Sequence, residues 1–174
     1  MIVLVEGIDR VGKTTFIDKL AEVTGYPTFK DDTRYAMHHN DMLINSEKMN
    51  TLMNVIERRL VYDAIFDRFH WTETVYGLID RSYVNISMDD IEERLKKYSY
   101  DTCNVCMVYV EPTDVMWSSK EHGKPLMSHY MLYERLYEKL EIPKFKCNHE
   151  TIDEAITQVT EFISKTEGMF DELQ

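Results

Sequence analysis

The chain has 174 residues, which is enough for one domain with a substantial buried core. Hydrophobic residues make up 44% and charged residues 29%, as in ordinary globular proteins, and the formal net charge is −11. This acidic balance argues against a general nucleic-acid binder or a protein that binds anionic membranes. The apolar runs are far shorter than a membrane span of ~20 residues and no signal-peptide pattern opens the chain, so we expect a cytoplasmic protein.

The first segment reads as a strand, a glycine-containing loop and a helix. Ile2–Glu6 is an apolar run typical of a buried parallel strand, and residues 13–24 place apolar side chains at helical spacing. Between them, residues 7–15 fit the phosphate-binding loop pattern G-x-x-x-x-G-K-[ST]. This order predicts an anion site, in which Lys13 reaches the outer phosphates and Thr14 offers its hydroxyl to a magnesium ion. The alternative, a chance match in a turn, is disfavoured by the flanking strand and helix.

The rest of the chain alternates between predicted strands and predicted helices. Strands are expected near Pro27–Lys30 and at Asp63–Asp67, Val105–Val110 and Pro143–Cys147. Helices are expected at about residues 41–60, 71–79, 127–140 and 151–165, and from Ser87 onward. The alternation predicts a single three-layer α/β domain over residues 1–174, with a central parallel sheet flanked by helices. Ligands of such sheets bind beyond the carboxyl ends of the strands.

Two further segments follow predicted strands and are polar. Glu111–Pro125 contains Gly123 and Pro125, and we expect a mobile lid at about residues 112–126. Asp67 and Arg68 end an apolar strand beside the phosphate loop. Asp67 could bind magnesium or polarise an attacking oxygen, and Arg68 could grip a substrate phosphate. On position alone, a solvated salt bridge at a strand end is an equally good interpretation.

The three cysteines do not suggest a disulfide framework. Cys103 and Cys106 form a C-x-x-C pair. By residue type alone, Cys147 and His149 could complete a four-ligand zinc site with them. Residues three apart on a strand point to opposite faces, however, so we favour buried thiols over a zinc site.

Residues 6–15, EGIDRVGKTT, resemble the phosphate loop of thymidylate kinases, one branch of which reads E-G-x-D-R-x-G-K-[ST]-T. Residues 67–76, DRFHWTETVY, are similar to the second motif of that family, an Asp-Arg-aromatic stretch with a Ser or Thr four residues after the arginine. The resemblance in element order covers nearly the whole chain. It implies a P-loop kinase fold and transfer of the γ-phosphoryl group of ATP, with Mg²⁺, to a deoxynucleoside monophosphate, with dTMP as the leading candidate.

The resemblance also assigns a catalytic arginine. Phosphoryl transfer needs a positive group at the γ-phosphate, and in this family it comes from the loop or from the lid. Arg10 lies in the loop, whereas the lid candidate Thr113–His129 contains Lys120 and Lys124 but no arginine. The chain therefore resembles the loop-arginine branch.

Further roles are implied by the same resemblance. Asp9 would face the sugar 3′-hydroxyl, Arg68 would hold the acceptor phosphate, and Tyr76 would lie near the sugar or base. The predicted ATP-binding residues are Gly7, Val11, Gly12, Lys13, Thr14 and Thr15. The predicted catalytic residues are Arg10, Lys13 and Asp67, and the predicted metal ligands are Thr14 and Asp67. The predicted acceptor-binding residues are Asp9, Phe29, Lys30, Arg34, Arg68 and Tyr76.

Several alternatives stay open. Lys30 and Arg34 could contact the acceptor phosphate or be solvated loop charges, and the base that is accepted is not determined. Deoxynucleoside kinases share the fold and would phosphorylate a free deoxynucleoside, although their loop usually lacks the Asp-Arg pair and their lid is rich in arginine. A switch GTPase would show an Asn-Lys-x-Asp segment, which this chain lacks. By resemblance we expect a homodimer, with the helix around Met42–Leu60 as its interface or else buried within the monomer.

Overall fold

The computed structural model describes residues 1–9, 11–30, 50–58, 60–81, 88–101, 105–112, 126–147 and 151–171. The strands are β1 (Ile2–Glu6), β2 (Thr28–Lys30), β3 (Ala64–Asp67), β4 (Val105–Val110) and β5 (Lys144–Cys147). The helices are α1 (Lys13–Thr24), α2 (residues 50–57), α3 (His70–Tyr76), α4 (Met88–Asp101), α5 (Met127–Lys139) and α6 (Ile152–Asp171). A π-helical turn, Gly77–Arg81, continues α3. The predicted elements are confirmed where they are described, although α6 extends beyond its predicted end, and residues 41–49 of the predicted long helix lie outside the described residues.

All strand pairs in the sheet are parallel, and the strand order is β2-β3-β1-β4-β5. The three inner strands are buried along their whole length, which explains why they read as continuous apolar runs rather than as alternating patterns. Val5 of β1 pairs with Asp67 of β3, and Glu6 pairs with Tyr109 of β4. The register therefore brings the end of β1, where the phosphate loop starts, level with Asp67.

The helices pack in two layers, one on each face of the sheet. Helix α1 packs against α6, whereas α3 packs against α4 and α5. This division follows from right-handed crossovers, because the chain moves from β1 toward one edge through α1 and toward the other edge through α3, α4 and α5. The predicted three-layer α/β architecture is confirmed. None of the described helices is long and apolar enough to cross a membrane.

The cysteines that the structure describes are interior side chains. Cys106 and Cys147 are buried free thiols, and burial raises the pKa of each to about 12. Cys103 lies outside the described residues. Among the described residues, no group of three or more His, Cys, Asp or Glu side chains could hold a metal ion by itself.

Candidate active site

The loop between β1 and α1 needs glycine at both ends. Gly7 has φ +150° and Gly12 has φ +83°, which are conformations that side chains strongly disfavour. A Cβ atom on Gly7 would also lie 2.5 Å from the carbonyl oxygen of Val110, at the end of β4. Val11, within the same loop, is buried. The predicted phosphate loop is therefore tightly packed against the carboxyl end of the central strands.

Helix α1 begins with the three residues that were predicted to meet phosphates and metal. Thr14 and Thr15 are exposed, whereas Lys13 is buried and its Nζ donates to the carbonyl oxygens of Gly7 at 2.7 Å and Ile8 at 2.5 Å. Burial, together with the nearby charge of Arg68, lowers the pKa of Lys13 to about 7. Lys13 thus lies at the helix N-terminus, where a bound anion would favour its charged form.

Asp67 ends β3 directly beside the loop. Its side chain is buried, Oδ1 has no hydrogen-bond partner among the described residues, and Oδ2 lies 3.6 Å from the exposed Nζ of Lys30. Buried carboxylate oxygens are normally partnered, so this oxygen is suited to a ligand or metal ion. Mg²⁺ commonly takes one or two protein oxygens and completes its shell with substrate phosphates and water. Asp67 and the hydroxyl of Thr14 therefore fit a magnesium ion that arrives with a nucleotide.

Three of the predicted acceptor-binding residues lie in one cluster. The Arg68 guanidinium pairs with the carboxylate of Asp9 and lies 5.9 Å above the ring of Tyr76. The Tyr76 hydroxyl accepts a hydrogen bond from the Asp9 backbone N–H at 2.9 Å. Burial alone would raise the pKa of Asp9, but the Arg68 charge and hydrogen bond outweigh it and the pKa is lowered. Likewise, burial opposes the charge of Arg68, but Asp9 holds the pKa of Arg68 above its usual value.

Of the other predicted acceptor-binding residues, two lie in the described part of the chain and one lies outside it. Phe29 is 40% exposed and stacks on Phe66 with ring centroids 5.2 Å apart. Lys30 reaches toward Asp67, so it is near the site although largely solvated. Arg10, Arg34 and the lid residues from Thr113 to Pro125 lie outside the described residues, and their roles stay predictions.

One group at the site carries more contacts than the sequence indicated. The carboxylate of Glu6 is fully buried, and its Oε1 accepts backbone N–H groups of Phe69, Trp71 and Thr72 at 2.7, 3.1 and 3.3 Å. Its Oε2 accepts the Thr72 hydroxyl at 2.7 Å and the Tyr133 hydroxyl at 3.4 Å. The sequence signal that could have found this residue is a lone carboxylate that closes an otherwise apolar buried strand.

A second unassigned residue contacts the acceptor cluster. His129, in the first turn of α5, is buried and packs on Tyr76 with ring centroids 4.7 Å apart. Its Nε2 lies 3.3 Å from Oδ2 of Asp80. The sequence offered no pattern for this histidine, because its partner ring is more than 50 residues away along the chain.

No protein-family model and no curated protein sequence matches the chain, but solved structures resemble it. The YorR protein from Bacillus subtilis, in complex with phosphorylated GDP, has a TM-score of 0.71 at 19% identity, covering 97% of this chain and 98% of that chain. Deoxyadenosine kinase from M. mycoides, with products dCMP and a flexible dCDP, has a TM-score of 0.54 at 16% identity over 95% and 99% of the two chains. Thymidylate kinase from Candida albicans has a TM-score of 0.54 at 15% identity over 95% and 92%. The predicted fold class is thereby confirmed: the chain has the P-loop kinase fold.

Proposed function

We propose that the protein transfers the γ-phosphoryl group of ATP to a deoxynucleoside monophosphate, with dTMP as the leading acceptor. The observation that carries the proposal is the cluster of Asp9, Arg68 and Tyr76 directly beside the phosphate loop. Phosphoryl transfer to a monophosphate requires two anionic substrates to lie side by side, one at the loop with Lys13 and one at a second cationic group. Arg68 is suitably placed to be that second group. Similar folds in a thymidylate kinase and a deoxyadenosine kinase support this class of reaction.

The donor side of the reaction follows from the loop. Backbone N–H groups and the N-terminus of α1 would bind the β- and γ-phosphates, and Lys13 would turn from the loop carbonyls toward them. Thr14 and Asp67 would hold Mg²⁺, which when bound supplies positive charge to the phosphate oxygens. Arg10, by the family resemblance, would stabilise the charge that spreads over the migrating group.

The acceptor side follows from the ion pair. One terminal nitrogen of Arg68 contacts Asp9, and a guanidinium carries five N–H donors in a planar fork, so it can also bind an acceptor phosphate. Asp9 would then lie between the loop and the acceptor sugar, within reach of a hydroxyl group. Tyr76, which contacts both residues, would lie near the sugar or base.

A second candidate is a deoxynucleoside kinase, which would phosphorylate a free deoxynucleoside. It is favoured by the same ion pair, because Asp9 already neutralises Arg68, and an uncharged acceptor would require no redistribution of that charge. A non-metabolic P-loop NTPase is the third and weakest candidate, since an acceptor cluster has no use in it.

A coupled assay separates these candidates by comparing ATP consumption with a panel of deoxynucleosides and their monophosphates in the presence of Mg²⁺. We expect turnover with pyrimidine monophosphates, dTMP first. Turnover with free deoxynucleosides alone would support the second candidate, and slow hydrolysis that no acceptor stimulates would support the third. The Lys13→Met variant controls for a contaminating kinase, because it lacks the phosphate-binding ammonium and should be inactive.

A further inference from the structure

Arg68 and the residue after it are hydrogen-bonded to the end of β1. The Arg68 backbone N–H donates to the carbonyl oxygen of Val5 at 2.9 Å, and the N–H of the next residue, Phe69, donates to the Glu6 carboxylate at 2.7 Å. Arg68 itself has φ +74°, in the left-handed region. A residue with a side chain disfavours that region, so neighbouring contacts must hold it there.

The Glu6 carboxylate supplies those contacts at the start of α3. The first N–H groups of a helix have no partners within the helix, and Glu6 accepts the N–H groups of Phe69, Trp71 and Thr72. Its second oxygen accepts hydroxyl groups of Thr72 and Tyr133, which ties the same carboxylate to α5. A buried carboxylate is costly unless it is fully hydrogen-bonded, and here five donors compensate it.

We propose that Glu6 is a positioning residue. It promotes binding of the acceptor by holding Arg68 in its left-handed conformation beside Asp9. The expected effect of Glu6 on the KM for the acceptor rests on the proposed function, whereas its hydrogen bonds to the start of α3 do not. In this role Glu6 does not touch the substrate. It fixes the direction in which the guanidinium leaves the sheet, and through α3 it also fixes Tyr76, whose hydroxyl contacts the Asp9 backbone.

The first test measures the hydrogen bonds without any substrate. Amide hydrogen exchange at Phe69, Trp71 and Thr72 should accelerate by about tenfold in Glu6→Gln, because a neutral amide is a weaker acceptor than a carboxylate. Gln still presents one acceptor oxygen, so this variant should fold. Unchanged exchange at the three amides would overturn the proposal whether or not any acceptor is found.

The second test uses the separation of KM from kcat with the acceptor that the panel identifies. We expect Glu6→Gln to raise the KM for the acceptor about tenfold while the KM for ATP changes less than about twofold. A purely structural defect would lower the amount of active enzyme, and hence the apparent kcat, and would leave both KM values unchanged. Thr72→Val, which removes one donor from the carboxylate, should give a smaller change in the same direction.

A double-mutant cycle decides whether Glu6 acts through Arg68. In an Arg68→Ala background, Glu6→Gln should change the acceptor KM less than about twofold, because the group that it positions is gone. A full effect of Glu6→Gln in that background would overturn the proposal. Val159→Ala, a buried change in α6 on the opposite face of the sheet, is the matched control for lost stability and should leave both KM values unchanged. Wild-type enzyme that consumes ATP with no acceptor at all would contradict the proposed function, and the exchange measurement would still test Glu6.

Discussion

At the scale of single residues, the site contains charges that are only partly compensated by protein partners. Lys13 is buried against backbone carbonyls, Asp67 has a buried oxygen without a partner in the part of the chain that the structure describes, and Arg68 is paired with Asp9. A phosphate on the loop and a cation on Asp67 would each improve this balance. The arrangement therefore favours binding of an anionic ligand together with a metal ion.

The first prediction concerns Lys13 and pH. Its pKa of about 7 without ligand should rise when phosphates bind, so binding takes up a proton above that pH. The affinity for ATP should then fall as pH rises from 7.5 to 9, by up to about tenfold per pH unit. Calorimetry in buffers of different ionisation enthalpy measures the proton uptake directly. A pH-independent affinity that matches the profile of Lys13→Met would contradict the prediction.

The second prediction concerns Arg10. If it stabilises the migrating phosphoryl group, it acts mainly in the transition state, and Arg10→Ala should lower kcat by about 10³-fold. ATP binding should weaken much less, because Lys13 and the loop N–H groups still hold the phosphates. Arg10→Lys should rescue poorly, since an ammonium cannot span two oxygens as a guanidinium does. Loss of turnover on changing Lys120 or Lys124, with Arg10→Ala within about threefold of wild type, would assign the role to the lid.

At the scale of secondary-structure elements, local patterns predicted each strand and helix but not the contacts between distant elements. The run Ile2–Glu6 and the loop pattern are continuous in sequence, so their geometry could be anticipated. The Glu6 carboxylate accepts N–H groups at the start of α3, and these residues are more than 60 positions apart along the chain. The packing of His129 on Tyr76 is equally non-local. Such contacts depend on how α3 and α5 lie on the sheet, which a single sequence does not reveal.

The third prediction concerns the contact between the loop and β4. Gly7→Ala would place Cβ 2.5 Å from the Val110 carbonyl oxygen at φ +150°, so backbone must move, and we expect destabilisation of about 2–4 kcal/mol with loss of ATP binding. Gly25→Ala is the matched control, because Gly25 also has positive φ (+73°), but among the described residues no heavy atom beyond its immediate neighbours lies within 4 Å of its Cβ position. It should cost only about 1 kcal/mol. Thermal denaturation with and without ATP measures both, and equal losses for the two variants would contradict the steric argument.

At the scale of the whole molecule, the candidate site residues lie together at the carboxyl ends of the central strands. The phosphate loop, Asp67 and the acceptor cluster all lie at the carboxyl ends of β1 and β3, as expected for a parallel sheet. The homodimer stays a prediction, because residues 42–49 of the expected interface lie outside the described residues. Base selectivity also could not be predicted, since it depends on pocket shape and on one or two hydrogen bonds that a sequence pattern does not reveal.

The fourth prediction concerns the lid at about residues 112–126. Its polar composition and its position after β4 suggest that it orders when donor and acceptor are both bound. Limited proteolysis should therefore cut this segment in the free protein and spare it with a bisubstrate-like ligand. Cleavage sites in α6 serve as the internal control. Equal resistance of the segment in both states would contradict this role.

The central position of β1 also has a consequence for how the chain acquires its site. β1 is the first strand along the chain, yet its two neighbours begin only at Ala64 and Val105. Both pairings close long loops, which slows folding, and the pairing with β4 cannot form until more than half of the chain has been synthesised. Because Gly7 packs against the end of β4, the phosphate loop cannot take its final shape earlier. A nucleotide added during refolding should therefore bind late and leave the initial folding rate unchanged.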